Sequence, residues 1–233
     1  MDTFVVSIQQ KTKGNDKERE NEMKIAVIGI GTVGHTLGKK WAQADHEVVF
    51  GARPQSLEKH RKMILSEKIH AKVETIESAA KSADVILLAV PHEEILNVAE
   101  SLNNLLDGKT VIDVSNWALP DWSGLKLGFT TSAAEELQKR LPRSHVVKAF
   151  NHYGANIMAN PMFGDRKAVL YFCADHSKAL HEVSKLVQDA GFDGVGINEL
   201  KFARVLEPLA QLWIAGIEHF GPDHAFALLK RAK

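Results

Sequence analysis

The sequence predicts an α/β fold in which helices cover both faces of one mostly parallel sheet, followed by a C-terminal amphipathic helix. Two observations lead to this prediction. Strand-like apolar runs alternate with helical patterns along most of the chain, and several of these runs are apolar throughout, as strands buried on both faces should be. The chain has 233 residues, 45% of them hydrophobic, which suffices for one large domain or a domain with a small appendage.

Composition indicates in which cellular environment the protein is expected and which classes of partner it is expected to bind. The 29 basic residues balance the 29 acidic ones, so nothing in the charge suggests nucleic acid or an anionic membrane as a partner. No apolar run is long enough to span a bilayer, and the first residues do not resemble a secretory signal. The single cysteine, Cys173, lies in an apolar run and is expected to be a buried, inert thiol. We therefore expect a cytoplasmic protein with a small-molecule partner and no metal site.

The first elements contain the most informative motif. Residues 1–22 are expected to form a flexible arm, because residues 9–22 are almost wholly polar. A β-rich run at 24–28 then enters a Gly-x-Gly-x-x-Gly turn, and a helical pattern follows over 36–44. Strand, glycine turn and helix in this order are the dinucleotide-binding fingerprint of a Rossmann-like domain. The predicted pyrophosphate site comprises Gly29, Gly31 and Gly34 together with the free N–H groups at the start of the following helix.

The second strand, 47–50, indicates which dinucleotide is bound. A site for NAD usually has Asp or Glu at the end of this strand, to bind the ribose 2′-hydroxyl. Here the strand is followed by Gly51, Arg53 and Ser56, with no carboxylate among them. Because a guanidinium binds a phosphate through two hydrogen bonds, Arg53 favours NADP(H) over NAD(H).

The remaining elements continue the alternation. We predict strands at 84–90, 110–114, 145–150, 168–174 and 194–197, and helices at 93–106, 132–141 and 177–190. The Rossmann-like domain thus covers 23–198. Residues 199–233 form a C-terminal segment whose helix, 199–220, packs on the sheet or at the interface of a homodimer. Trp213 on this helix is either part of that packing or a surface on which a substrate stacks.

Polar and aromatic residues follow several of the predicted strands. Ligands of open α/β sheets bind at the carboxyl ends of the strands, so these residues should line one cleft. Asn151 and His152 are expected deepest, beside the reacting ring, and are our candidates for catalysis. The other candidates for cofactor binding at these strand ends are Val90, Pro91, His92, Ser115, Asn116 and Phe150.

Five blocks of the sequence resemble a known family. They are the glycine turn 29–34 and the segments 50–53, 111–116, 132–135 and 145–151. With them the chain resembles the deazaflavin-dependent NADP oxidoreductases and, equally, the cytosolic oxidoreductase domain of transmembrane metalloreductases. The resemblance implies hydride transfer between NADP(H) and a flavin or deazaflavin. It also implies that Thr32 and Val33 bind the pyrophosphate, that Arg53 binds the 2′-phosphate, and that the nicotinamide half is lined by Val90, Pro91, Ser115, Asn116, Ala149 and Asn151.

Two alternatives stay open at this stage. The chain could sense NADP(H) without turnover, since the glycine turn and Arg53 require no second substrate. It could also reduce imino or keto acids, although only residues 199–233 remain for the long helical domain of such enzymes. If a proton must move during the reaction, the candidates are His92, Lys148 and His152. The tryptophan-rich loop 117–124 matches neither branch of the family, so the second substrate is not identified by the resemblance.

Overall fold

A computed structural model describes residues 22–119, 121 and 124–231. The predicted arm, apart from Glu22, lies outside the described residues, as do Pro120, Trp122 and Ser123 of the tryptophan-rich loop. Within the part of the chain that is described, no helix is long and apolar enough to cross a membrane.

One eight-stranded sheet organises the molecule. Its strands lie in the order β10-β9-β6-β5-β4-β1-β2-β3, and every neighbouring pair is parallel except β6 and β9. Strand order therefore reverses between β1 and β4, which is where a ligand cleft forms in this fold. The strands are β1 (Lys24–Ile28), β2 (Glu47–Ala52), β3 (Ala71–Thr75), β4 (Val85–Leu88), β5 (Thr110–Asp113), β6 (His145–Lys148), β9 (Val169–Ala174) and β10 (Asp193–Asn198), and a separate two-stranded hairpin is formed by β7 (Met162–Phe163) and β8 (Arg166–Lys167).

Helices cover both faces of the sheet, which confirms the predicted doubly wound fold. In β1, Ile25 and Val27 face one apolar core, whereas Ala26 and Ile28 face the other. A strand whose successive side chains all meet apolar neighbours must be apolar throughout, and this explains the continuous runs in the sequence. The helices are α1 (Thr32–Gln43), α2 (Leu57–Ser66), α3 (Ile76–Ser82), α4 (His92–Leu106), α5 (Ala133–Arg140), α6 (Ala155–Ala159), α7 (Ser177–Asp189) and α8 (Ala203–Phe220).

A local signal in the sequence determines where α5 begins. The Ser132 hydroxyl accepts a hydrogen bond from the backbone N–H of Glu135 at 3.2 Å, and this N-cap begins α5 as predicted.

Cys173 is fully buried in β9, and burial raises the pKa of its thiol to about 12, consistent with an inert side chain.

Several elements were not predicted from the sequence, among them β3 and α2 at one edge of the sheet. Strand β3 pairs with β2 at that edge, and Val73 is its only buried residue. Helix α2 likewise buries a single residue, Ile64. Elements that bury so little carry a weak periodic signal, because alternation arises from one face meeting the core.

Helix α8 contributes to both cores and is continuous through Pro208. Leu206 packs in the core that contains Ala26, and Trp213 packs in the core that contains Val27. The helix therefore closes the region beside the carboxyl ends of β5 and β6, where the structure forms its cleft.

Candidate cofactor cleft

The glycine turn after β1 has the shape that a dinucleotide requires. Gly29 has φ +101°, and a Cβ there would lie 2.4 Å from the Ala89 carbonyl oxygen. A Cβ at Gly34 would lie 2.0 Å from the Gly29 carbonyl oxygen. By contrast, a Cβ at Gly31 would meet nothing within 4 Å, because it would project into open space. Two of the glycines thus serve packing, and Gly31 leaves room beside the backbone.

Helix α1 begins immediately after this open space. Gly31 is its N-cap, so no side chain caps the first turn, and no acidic residue lies in that turn. The first N–H groups of a helix have no partner within the helix and lie at the positive end of its dipole. The start of α1 is therefore suited to bind an anion such as a pyrophosphate.

The end of β2 lies beside the glycine turn. Register pairs Gly51 with Ile28, the last residue of β1, and a Cβ at Gly51 would lie 2.6 Å from the Ile28 side chain. Arg53 follows as an exposed residue, and its carbonyl oxygen accepts a hydrogen bond from the Ser56 hydroxyl at 3.0 Å. Arg53 and Ser56 thus lie just beyond the carboxyl end of β2, on the side where the adenosine half of a dinucleotide would extend from the turn.

A cleft of about 680 Å³ opens at the carboxyl ends of β1, β4, β5 and β6. Its wall is largely apolar, and among the described residues that line it none is Asp, Glu, Lys or Arg. Most predicted site residues meet here: Gly31, Thr32, Val33, Val90, Pro91, His92, Ser115, Asn116, Phe150, Asn151 and His152. The other predicted residues are not in the wall. Gly29, Gly34 and Gly51 lie in backbone packing, Arg53 and Ser56 lie beyond it, and the Ala149 side chain is buried in the core.

Two asparagines join the strand ends at the cleft. The Asn116 amide donates to the Asn151 carbonyl oxygen at 2.7 Å, and the Asn151 amide donates to Asn116 Oδ1 at 3.0 Å. The Asn151 amide also donates to the Leu206 carbonyl oxygen of α8 at 2.7 Å. Asn151 therefore holds the loops after β5 and β6 and helix α8 together, and its amide N–H groups are already engaged.

Phe150 precedes Asn151 in a left-handed conformation. Its φ is +57°, although its side chain is aromatic and only 1% exposed. This conformation costs about 1–2 kcal/mol for a residue with a Cβ, and such strain often occurs at functional sites. Here it turns the chain at the end of β6, so that residues 150–154 line the cleft consecutively.

His152 is buried rather than exposed to solvent in the cleft. Its side chain is 0% exposed, and burial lowers its pKa to about 4. The ring is therefore neutral at physiological pH, and it packs at 4.6 Å from the Tyr153 ring. The hydroxyl of Tyr153 donates to the Val169 carbonyl oxygen and accepts from the Phe226 N–H, and burial raises its pKa to about 12.

The prediction that Lys148 could move a proton in the reaction is wrong. Its ammonium is fully buried behind the cleft and contacts Asp113 Oδ2 at 2.7 Å, Glu207 Oε1 at 2.8 Å and the Ser115 carbonyl oxygen at 2.6 Å. Burial alone would lower the pKa of Lys148, but the two carboxylates raise it above its usual value. A lysine so paired holds its proton and does not face the cleft. The sequence could not reveal this, because Glu207 lies far along the chain.

The segment around α6 and helix α8 supply cleft residues that the sequence did not identify. These are Gly154 and Met158 from the first and Ala210 and Ile214 from the second, and they line the wall together with Tyr153 and Trp213.

The indole of Trp213 is held from several directions. Its N–H donates to the His224 carbonyl oxygen at 2.8 Å, and the His224 ring stacks on it at 5.4 Å. A Cβ at Gly154 would lie 2.9 Å from the indole. Trp213 therefore forms a rigid wall, and both interpretations made from the sequence, packing and contact with a substrate, are compatible with its position.

Comparisons with known proteins agree with this geometry. The model of a family described as NADP oxidoreductase, coenzyme F420-dependent, matches residues 24–117. The F420-dependent NADP reductase of Methanothermobacter thermautotrophicus is 30% identical over 210 residues, a match that covers 82% of this chain and 88% of that protein. A crystal structure of a putative F420-dependent NADP reductase from Arthrobacter sp. FB24 superposes with a TM-score of 0.80 at 26% identity, covering 89% of this chain and all of the other.

The chain is also similar to part of a larger protein. The metalloreductase STEAP2 of Homo sapiens is 27% identical over 191 residues. The match covers 81% of this chain, whereas the chain spans about a third of that protein's length, 36%. This likeness is therefore confined to one portion of the metalloreductase.

Proposed function

Because the chain belongs to the family of coenzyme F420-dependent NADP oxidoreductases, we propose that it catalyses hydride transfer between NADP(H) and a flavin or deazaflavin. One observation supports this proposal above the others. The uncapped start of α1, with open space at Gly31, is continuous with a largely apolar cleft of about 680 Å³. Hydride transfer requires such a cleft, because the two reactants must lie face to face.

The residues present suit three parts of the cofactor. The first turn of α1, at Thr32 and Val33, would bind the pyrophosphate through backbone N–H groups. Arg53, with Ser56, would bind the 2′-phosphate. Ser115 is our candidate for the nicotinamide half, since the residue lines the cleft and its buried hydroxyl has no hydrogen-bond partner among the described residues. An unpaired buried hydroxyl costs about 1–3 kcal/mol, so a ligand that pairs with it is favoured.

The side chains of the cleft favour a ring acceptor over a carbonyl or imine. The bound nicotinamide would supply the hydride, and a carbonyl or imine acceptor would in addition need a proton from a nearby acid. The wall contains no Lys, Arg or carboxylic acid among the described residues. Tyr153 is engaged in two hydrogen bonds, and His152 is neutral and buried. His92, whose ring lies 2.8 Å from a Glu93 carboxylate oxygen, is left as the candidate proton donor among the described residues of the wall. We accordingly assign Asn151 and His152 to shaping the site of the reacting rings rather than to proton transfer.

The second candidate, an NADP(H) sensor without turnover, is disfavoured by the same cleft. A sensor needs the glycine turn and Arg53 only, whereas this chain also encloses an apolar space with Met158, Ala210, Trp213 and Ile214. Residues that wall off such a space are expected where a second apolar ligand binds.

The test is oxidation of NADPH by the purified protein with coenzyme F420, FMN, FAD or riboflavin, compared with a cyclic imine and a keto acid. We expect turnover with at least one ring acceptor and none with the imine or keto acid. Tight NADPH binding without turnover of any acceptor would instead support the sensor. Turnover confined to the imine or keto acid would support the dehydrogenase alternative.

A homodimer and a cytoplasmic location stay predictions. In support of a dimer, α8 exposes Val205 and Leu212, which are 52% and 62% exposed and lie two turns apart on one helical face. Sedimentation of the purified chain would test the oligomeric state.

A further inference from the structure

A buried ionic cluster lies directly behind the nicotinamide half of the cleft. We define it as Asp113, Lys148 and Glu207, all of which are 0% exposed. Two carboxylates share one ammonium, at 2.7 Å and 2.8 Å. Such clusters are costly to bury, and replacing them with apolar residues often leaves a protein as stable or more so. Stability alone is therefore a weak reason for this one.

The negative charge of Glu207, the second carboxylate of the cluster, is stabilised by the N-terminus of helix α5. Glu207 accepts hydrogen bonds from the backbone N–H groups of Ala133 at 3.1 Å and Ala134 at 3.4 Å, at the positive end of that helix. The Glu207 carboxylate thus serves Lys148 and α5 together. Asp113 and Lys148 are left as the members of the cluster that contact a residue of the cleft wall, Ser115.

These two members hold both backbone groups of one residue. Asp113 Oδ1 accepts a hydrogen bond from the Ser115 N–H at 2.8 Å, and Lys148 donates to the Ser115 carbonyl oxygen at 2.6 Å. Asp113 and Lys148 are joined to each other through Asp113 Oδ2. Ser115 is therefore fixed at both backbone groups. The residue lines the cleft, and its buried hydroxyl has no hydrogen-bond partner among the described residues.

We propose that Asp113 and Lys148 are positioning residues, which fix the Ser115 backbone so that its hydroxyl and the adjacent Asn116 are preorganised for the nicotinamide half of the cofactor. This inference rests on the proposed function, since it assumes that NADP(H) occupies the cleft. Preorganised groups bind a ligand more tightly because they lose less conformational freedom on binding.

The test uses Asp113→Asn, which keeps the size of the side chain and leaves Lys148 and Glu207 as a balanced pair. A carboxylate accepts from Ser115 N–H and from Lys148 simultaneously, whereas an amide has one acceptor oxygen. One of the two bonds is lost in either orientation of the amide. Glu135→Gln is the matched control, because Glu135 pairs with Arg204 across the same helices, α5 and α8, without contacting Ser115.

Two ligands separate the halves of the cofactor site. Adenosine 2′,5′-bisphosphate carries the adenosine half of NADPH and no nicotinamide. We expect Asp113→Asn to weaken NADPH binding about tenfold or more, with binding of the bisphosphate within about twofold of wild type, and we expect Glu135→Gln to change neither. Equal losses for both ligands, or no loss for NADPH, would overturn the proposal.

A measurement on the wild type keeps the proposal testable if Asp113→Asn does not fold. The Ser115 amide, held by a buried carboxylate, should exchange slowly with solvent deuterium in the cofactor-free protein. Fast exchange at this amide would overturn the proposal. The proposed function fails separately, if wild-type protein does not bind NADPH or binds it and reduces no acceptor.

Discussion

The two glycines on either side of the start of α1 should respond to the same substitution in opposite ways. In Gly34→Ala the new Cβ would lie 2.0 Å from the Gly29 carbonyl oxygen, about 1 Å inside the 3.0 Å limit of real Cβ contacts. The Gly29 carbonyl is a backbone group, and the position of the new Cβ is fixed by the backbone of α1. The clash can therefore be relieved only if α1 moves away from β1. Overpacking of this kind costs about 1–3 kcal/mol. A domain of this size should lose about 2–4 °C in Tm for each kcal/mol.

In Gly31→Ala the new Cβ meets nothing within 4 Å, and Gly31 has φ −79°, which alanine adopts freely. We expect the free energy of unfolding to change by about 0.5 kcal/mol or less. The methyl group would, however, occupy the space proposed for the pyrophosphate. If it removes one charge-assisted hydrogen bond from the first turn of α1, the loss is about 1.5–3 kcal/mol, or roughly 10-fold to 150-fold in Kd.

The assay pairs thermal unfolding without cofactor with NADPH titration for both variants. Gly34→Ala should lose stability, and Gly31→Ala should keep its Tm and lose NADPH affinity. Wild-type NADPH affinity in Gly31→Ala would refute the placement of the pyrophosphate. An equal loss of Tm in both variants would refute the packing argument for Gly34.

Two further predictions concern charge. Arg53→Ala should lose NADPH affinity and keep NADH affinity, because only the 2′-phosphate needs the guanidinium; equal losses for both would show that Arg53 does not select NADP(H). For His152, burial lowers the pKa from its ordinary 6.5 to about 4, so the unfolded chain takes up the proton first. The contribution of this neutral histidine to the free energy of unfolding is therefore complete above pH 6.5. It falls by about 3 kcal/mol in all as the pH is lowered toward 4. Urea unfolding of wild type and His152→Gln should show a stability difference that shrinks over this range, and a difference independent of pH would contradict the buried, neutral state.

The sequence predicted the parts of the molecule in which one local cause determines the structure. Gly29 is required by its φ of +101°, Gly34 by its contact with the Gly29 carbonyl oxygen, and the apolar run of β1 by burial on both faces. Each of these causes leaves its signal within a few consecutive residues, so it can be recognised from a single sequence. The cleft residues at the strand ends were predictable for the same reason, because the fold class places all carboxyl ends of the parallel strands together.

The parts that were not predicted depend on residues distant in sequence. Lys148 was a candidate for proton transfer because nothing in the sequence around it indicates an ion pair. Its partner Glu207 lies on α8, distant along the chain. Trp213 faces Gly154 and His224 only after α8 has packed beside the cleft. The direction of β9 was also not encoded locally. Between β6 and β9 the chain forms only the short α6 and the hairpin β7–β8, whereas a parallel connection usually contains a packed helix.

The most direct test of the proposed function follows deuterium from NADPH labelled at the reacting carbon of its nicotinamide. A deazaflavin accepts hydride at a ring carbon, so a transferred deuterium is retained and can be detected by mass spectrometry. We predict that deuterium accumulates in the deazaflavin in step with NADPH oxidation, and that Gly31→Ala is slowed in this transfer while remaining folded. Tight binding of NADPH to the wild-type protein, with no label in the deazaflavin and no NADPH oxidised by any flavin, would contradict the account.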